Sequence, residues 1–392
     1  MKTVCIVTST RAEYGLLEPL IKRIHEDKEF DLMLVVTGTH LLEEHGETYK
    51  EIRFPIYKKI YIPIKSQSVI DISNTMTTLQ IEFSKILVEN TPDIVVLLGD
   101  RYEILAVAIA CMIANVPIAH IHGGETTEGA IDEAIRHSIT KMSYLHFPST
   151  YEYARRIIQL GEEPSRVFNV GALGAENIYK MKLLSKTELE AKINFKIDNN
   201  TLLFTYHPTT LHGNHKVSIN VVMQEMKQVF KALDNLQRRV IFTKANADMG
   251  GIVINQMIDE YVDRNNNRSI AFISMGKLRY LSAMKYVGAV VGNSSSGIIE
   301  APIMKVPTVN IGARQQGRLR CESIIDCGVN SLQIEKAVEI ALSQKMKEKV
   351  KNIENPYGEG DTSKLIVEVL KKYLNNKSIS LQKKFYDINF DF

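Results

Sequence analysis

Gly292-Asn293-Ser294-Ser295-Ser296-Gly297-Ile298-Ile299-Glu300 follows the apolar run Gly288-Ala289-Val290-Val291 and precedes Ala301-Pro302. A buried strand that ends in a Ser/Gly turn and opens a helix aims several backbone N–H groups at one spot. The helix dipole favours an anion there. Ser294, Ser295 and Ser296 add hydroxyl donors beside Gly297, and Glu300 can accept from a ribose hydroxyl. The turn reads as a pocket for a nucleotide diphosphate. An ordinary helix cap with spare serines is the competing reading.

Other polar loops follow predicted strands. They are Thr10-Arg11-Ala12-Glu13, Gly99-Asp100-Arg101-Tyr102-Glu103, His122-Gly123-Gly124-Glu125, His207-Pro208-Thr209-Thr210, Lys244-Ala245-Asn246 and Gly312-Ala313-Arg314. Open α/β sheets bind ligands at the carboxyl ends of their strands. The first half of the chain supplies acids there: Asp100, Glu125, Asp132 and Glu133. The second half supplies the anion turn and Arg314. Acids on one wall and phosphate binders on the other suit a sugar nucleotide. Each residue also has a plainer use. Asp100 can cap a helix, Asp132 and Glu133 suit a helix's first turn, and His207 before Pro208 can simply end a strand. No Walker-type Gly-rich lysine motif occurs, and no Asp-x-Asp pair follows a strand to hold a metal. Positive charge for a diphosphate then falls to Arg314, Arg11 and helix N-termini.

Alternating apolar runs and amphipathic segments must position these loops, which predicts parallel sheets with crossover helices. Strands are expected at Val4–Ser9, Leu32–Thr37, Ile60–Ile64, Asp93–Leu98, Pro117–Ile121 and Val167–Val170 in the first half. Leu202–Tyr206, Val240–Thr243, Ile270–Ser274, Ala289–Val291 and Thr308–Ile311 follow in the second. A looser Lys/Glu-rich region, about Lys180–Asn200, lies between the halves. Both halves contain a strand, a Gly-polar turn, a helix, a Val-Pro and a second strand: Val95 to Ala119, and Val290 to Val309. The fold expected is α/β, with two Rossmann-like domains facing across a cleft. Domain spans are 1–178 for the acid cluster and 179–365 for the anion turn, with 366–392 crossing back to the first domain.

With 392 residues, 45% of them hydrophobic, the chain can fill two cores. A net charge of +3 without a basic block argues against a nucleic-acid partner. The four cysteines lack metal-ligand spacing, and Cys5 and Cys111 sit in apolar runs. Such thiols suit a reducing cytosol, and the N-terminus reads as a strand rather than a signal peptide, so a cytoplasmic protein is expected. Ile104 to Ile121 could mimic a membrane span, but Asn115 and Pro117 divide it into helix and strand.

Taken together, these loops resemble the UDP-N-acetylglucosamine 2-epimerase family, above all its hydrolysing branch. The resemblance runs from Ser9-Thr10-Arg11-Ala12-Glu13-Tyr14-Gly15 to Gly312-Ala313-Arg314-Gln315-Gln316-Gly317-Arg318 and includes Ile135-Arg136-His137-Ser138. It implies a GT-B-like fold, no cofactor, a UDP-sugar as partner and a homo-oligomer. It also implies conversion of UDP-N-acetylglucosamine and water to N-acetylmannosamine and UDP, through elimination to 2-acetamidoglucal and then hydration. That product serves sialic acid synthesis. A UDP-2,4-diacetamido-2,4,6-trideoxy sugar or a non-hydrolysing epimerisation are the alternatives. By resemblance, Asp100 and Asp132 match family acids, with Glu133 beside Asp132 as a rival. Glu125 is the bet for the next acid, since some relatives carry Glu where this chain has His122. His207 matches a histidine near the leaving oxygen. Arg11, Asn246, Ser294, Ser295, Glu300 and Arg314 match UDP contacts, and Arg101, Ser296 and Gly297 join them as substrate-binding candidates.

Overall fold

Runs of β-branched and other apolar residues form the strands, and the amphipathic segments between them form the helices that cover both sheet faces. The computed structural model describes the chain except residues 44–45, 65–67, 128–130, 209–210, 213–214, 217–218, 246–250, 359, 376–380 and 390–392. It divides into two units. The first takes Met1–Thr126, Ala130–Tyr179 and Pro356–Phe392, and the second takes Lys180–Asn355.

In the first unit the elements are β1 (Lys2–Thr8), α1 (Arg11–Glu26), β2 (Phe30–Val36), β3 (Lys58–Lys59), α2 (Val69–Glu89), β4 (Ile94–Leu98), α3 (Tyr102–Ile113), β5 (Ile118–Ile121), α4 (Ile131–Met142), β6 (Leu145–Phe147), α5 (Tyr151–Gln159) and α6 (Leu173–Lys180). The sheet is parallel, in the order β3-β2-β1-β4-β5-β6. Side chains alternate along β1. Val4 and Ile6 enter the core on one face, Cys5 and Val7 the core on the other. Both faces are therefore dry, and burial pushes the Cys5 thiol far above its ordinary range. Strand order reverses between β1 and β4, so the loops after them share the switch point where such sheets bind ligands.

Pro19 lies inside α1 and can donate no N–H to the carbonyl of Gly15. That carbonyl accepts instead from Asn177 Nδ2 of α6 at 2.7 Å, so a local defect becomes a docking contact. Ile60–Ile64 is not a strand. Pairing stops at Lys59, because Pro63 offers no ladder donor and Thr37 and Thr75 hydroxyls take the carbonyls of Ile60 and Pro63. Val167–Val170 forms only one bridge, Val167 to His146.

The second unit contains α7 (Lys186–Ile193), β7 (Leu202–Thr205), the hairpin β8 (Leu211–His212) and β9 (His215–Lys216), α8 (Ile219–Leu236), β10 (Val240–Thr243), α9 (Gly251–Arg264), β11 (Ser269–Phe272), α10 (Gly276–Tyr286), β12 (Ala289–Gly292), α11 (Ser295–Ile303), β13 (Thr308–Ile311), β14 (Ile324–Cys327), α12 (Ser331–Leu342) and α13 (Gln344–Lys351). Its large sheet runs β11-β10-β7-β12-β13-β14, all parallel. Numbered within the unit, this is the same doubly wound order as the first. The repeated Val-Pro segments occupy equivalent places in the two sheets, β4-α3-β5 and β12-α11-β13. Polar composition hides α7, whose helix is set by a Ser185/Glu188 capping box and by buried Leu189 and Ile193. The chain then returns to the first unit. Tyr357 and Thr362 already bond Ala172, so the return comes ahead of the expected residue 366. The last helix, α14 (Thr362–Asn375), packs its Ile366, Leu370 and Leu374 into the core shared with α1. No described helix is long and apolar enough to cross a membrane.

Candidate active site

At the first unit's switch point, β4 ends at Leu98 and Gly99 turns the chain so that Asp100 leaves the sheet edge. His120, on the neighbouring β5, donates from Nε2 to the Gly99 carbonyl at 2.8 Å and meets Thr140 through Nδ1 at 3.2 Å. Burial drives its pKa down to about 3, so the ring stays a neutral strut. Arg136 of α4 reaches Asp100 from the other side. Only 2% exposed, it donates to Asp100 through Nε at 3.0 Å and through a very short Nη2 bond. Its Nη1 donates to Glu133 and to the Glu125 carbonyl, each at 2.8 Å. One buried guanidinium thus gathers three of the predicted acids by side chain or backbone.

Asp132 differs. No hydrogen bond reaches its carboxyl among the described residues, and burial, with the charge of Asp100 added, raises its pKa. The Glu125 carboxylate accepts from Ser149 Oγ at 3.2 Å and lies 3.8 Å from His122 Nδ1. His122 has φ +65°, a strained conformation for a residue other than glycine. Its Nε2 is buried with no hydrogen-bond partner among the described residues. Burial lowers its pKa, so the ring is neutral beside the acids. Arg136 and His122 were absent from the predicted site. Their clue was position: each lies within the quoted motifs, one helical turn or one short loop from an acid.

Two predicted binders of this unit are engaged within it. Arg101 grips the fully buried Glu103 through Nη2 at 2.8 Å and lies 3.9 Å from Glu13, which takes both the N–H and hydroxyl of Ser9. The loops after β1 and β4 are thereby tied together. Arg11 projects from the first turn of α1 to Glu51 at 2.9 Å and is well exposed.

At the second unit's switch point, the loops after β7 and β12 meet. Asn293, 1% exposed, accepts from the His207 N–H at 2.7 Å and donates to the His207 carbonyl at 2.8 Å. Its own carbonyl accepts from Arg314 Nη1 at 3.1 Å and Gln315 Nε2 at 2.9 Å. The three predicted loops therefore converge on one asparagine. Gly292, at φ +130°, is required there: a Cβ would fall 1.9 Å from the Thr205 carbonyl oxygen. Ser294 caps α11 by accepting from the Ser296 N–H at 3.3 Å. The ordinary cap is therefore present, with Ser295 and Gly297 in the helix's first turn. Ser296 donates a very short bond to Glu300, whose pKa burial raises. Tyr280 of α10 lies against Ser296 and Thr205, and burial pushes its phenol up to about 12. Asn246 lies outside the described residues.

Both switch points thus carry polar groups that tertiary contacts hold in place. A family model described as UDP-N-acetylglucosamine 2-epimerase matches residues 22–371. The chain belongs to this family. It is 43% identical to the GDP/UDP-N,N'-diacetylbacillosamine 2-epimerase (hydrolyzing) of Campylobacter jejuni, across 99% of each chain. It is 39% identical to the polysialic acid biosynthesis protein P7 of Escherichia coli, across 99% of this chain and 98% of that protein. With the UDP-N,N'-diacetylbacillosamine 2-epimerase (hydrolyzing) of Legionella pneumophila it shares 35% identity, across 95% of this chain and 96% of that one. Its fold is that of the UDP-GlcNAc 2-epimerase from Neisseria meningitidis solved with UDP-GlcNAc bound. The TM-score is 0.77 at 20% identity, covering 95% of this chain and 100% of that chain. This family member has the two doubly wound, GT-B-like units expected from its loops.

Proposed function

We propose that this family member is a hydrolysing 2-epimerase of a UDP-linked 2,4-diacetamido-2,4,6-trideoxyhexose, releasing UDP and the free sugar inverted at carbon 2. The observation that carries the reading is 43% identity, end to end, to a hydrolysing diacetylbacillosamine 2-epimerase. It displaces UDP-N-acetylglucosamine as the first-choice substrate. N-acetylmannosamine formation is the second reading, favoured by the 39% identity to a polysialic acid biosynthesis protein.

In the proposed chemistry the diphosphate is held by the α11 turn, Arg314 and the His207 loop. Carbon 2 of the sugar has no adjacent carbonyl, so its proton is very weakly acidic. The bond from carbon 1 to the phosphate oxygen must therefore lead in breaking, its electron pair leaving with UDP. Backbone donors aimed at the departing oxygens favour that step. Asp132 takes the carbon-2 proton, giving the 1,2-unsaturated sugar. Its raised pKa and open carboxyl suit a base that takes up a proton here and releases it to solvent before the next turnover. Asp100 and Glu133 are committed to Arg136 and orient the site. Water then adds across the double bond: its hydroxyl joins carbon 1, and its proton is relayed to carbon 2 on the opposite face by the Glu125 carboxylate beside His122.

The test is to incubate the protein in deuterated water with each UDP-sugar in turn and follow the products by NMR. Turnover of the diacetamido substrate should exceed that of UDP-N-acetylglucosamine, with one deuterium at carbon 2 of a free sugar. Faster release of N-acetylmannosamine would establish the second reading. An epimerised nucleotide sugar without free UDP would overturn both.

A further inference from the structure

We propose that the C-terminal tail, through Lys383, holds the Gly123–Glu125 loop in its working position, which makes Lys383 a positioning residue for the reaction proposed above. The proposal rests on that reading's use of Glu125. Three anchors hold the tail to the first unit. The Lys383 ammonium donates to buried Glu162 at 2.7 Å and to the carbonyls of Lys141 and Ser143 at 2.9 and 2.6 Å. The Phe385 ring covers Gly161 so closely that a Cβ there would fall 2.3 Å from it, and Lys141 Nζ sits 5.0 Å from the ring centroid. The Tyr386 N–H donates to the Gly161 carbonyl at 3.0 Å. Between these anchors and the outer face of α5 lies a cavity of about 840 Å³, lined by Arg155, Arg156 and residues Phe385 to Ile388. The tail is held at points rather than along its length.

Those points matter for what they join. Lys141 lies in the last turn of α4, the helix that carries Asp132, Glu133 and Arg136, and Ser143 follows it. Gly161 and Glu162 lie just after α5. Glu162 also accepts from Lys141 at 2.6 Å and meets His146 at 3.0 Å, so one buried carboxylate gathers both helix ends and the tail. From α5, Arg156 donates to the Gly124 carbonyl, and Ser149, just before the helix, donates to Glu125. A path of hydrogen bonds therefore runs from Lys383 through Glu162 and α5 to the acid loop. Small displacements of a reacting group are costly: a shift of about 1 Å can lower turnover by roughly a hundredfold.

The test uses full-length Lys383→Met, Lys383→Arg and Arg156→Gln proteins, with steady-state kinetics, UDP titration and amide hydrogen exchange. Lys383→Met should lower kcat roughly tenfold, leave the UDP dissociation constant unchanged, and speed exchange at residues 123–126. Lys383→Arg should recover most of both. The double variant with Arg156→Gln should lose less than the product of the two single losses, because both changes cut one path. Unchanged kcat, or faster exchange confined to the tail, overturns the proposal. Should Lys383→Met fold poorly, Phe385→Ala releases the same tail without uncovering a charge and must show the same loop exchange. Exchange needs no substrate. A wild-type protein that turns over neither UDP-sugar would therefore sink the functional reading, while the loop's exchange would still decide the tail's role.

Discussion

The two switch points have the same sheet order and different contents. In the first unit, charged side chains surround one another: Arg136 holds Asp100 and Glu133, while Asp132 is left open with a raised pKa. In the second unit a neutral side chain does the gathering: Asn293 holds the His207 loop, and its carbonyl meets Arg314 and Gln315. Moving protons requires titratable groups whose environments differ. Holding a pyrophosphate requires fixed donors, and a neutral clamp adds no charge to compete with the anion. In the reading proposed above, one architecture would serve both uses, because its switch point leaves strand-end loops free to vary.

The contrast can be broken first at Asp132. Asp132→Asn should lower turnover by about 10²–10⁴-fold with UDP binding intact by calorimetry. Loss of UDP binding in that variant would mean the two units do not divide the work. Next is Arg136→Met, which leaves Asp100 and Glu133 without their buried partner. Breaking such a cluster costs about 3–5 kcal/mol, to be read from urea denaturation, and turnover should fall with it. A loss below about 1 kcal/mol, the range of exposed pairs, would show the cluster to be solvated.

Acid should sharpen the contrast further. His40 and His120 are buried, with pKa values lowered from 6.5 to about 4 and about 3. The unfolded chain takes up these protons and the folded chain does not, so stability is full above pH 6.5 and declines as pH falls toward those values. Each ring contributes at most about 1.4 kcal/mol per pH unit in that window. Glu162 adds to the loss below pH 4.5: burial opposes its charge, but His146, Lys141 and Lys383 hold its pKa at about 2. Denaturation midpoints should hold from pH 8 to 6.5 and fall steadily from there down to pH 4, and His120→Gln should flatten part of the slope. A flat profile in the unmodified protein would refute these assignments. The smallest effect belongs to the neutral clamp. Asn293→Ala removes both amide hydrogen bonds to the His207 backbone, at about 1–3 kcal/mol, and should weaken UDP binding about tenfold while the chemical step is spared.

Much of this was readable one residue at a time. Strand-forming runs, Val-Pro breaks and Gly-polar turns act over a few neighbours, so the two doubly wound units and the loops after their strands followed from local pattern. Errors came where a distant partner overrode that pattern. Ile60–Ile64 looked like a strand until threonine hydroxyls claimed its carbonyls. The edge strand β14 (Ile324–Cys327) was overlooked because it is short, only partly buried and carries Asp326. Polar α7 was passed over because two buried residues and a cap suffice to hold it.

The site divides the same way. Asp100, Asp132, Ser294 and Glu300 could be named because residue type and place after a strand suggest their chemistry. That Asp100 is bound to Arg136, 36 residues on, while Asp132 is not, follows from how α4 packs against α3 and β5. Asn293 meeting His207 across 86 residues, and Lys383 reaching Glu162, depend on packing in the same way. Local sequence sets which groups exist and on which element. Burial and long-range partners set their protonation and orientation, because both depend on solvent excluded by parts of the chain far away in sequence.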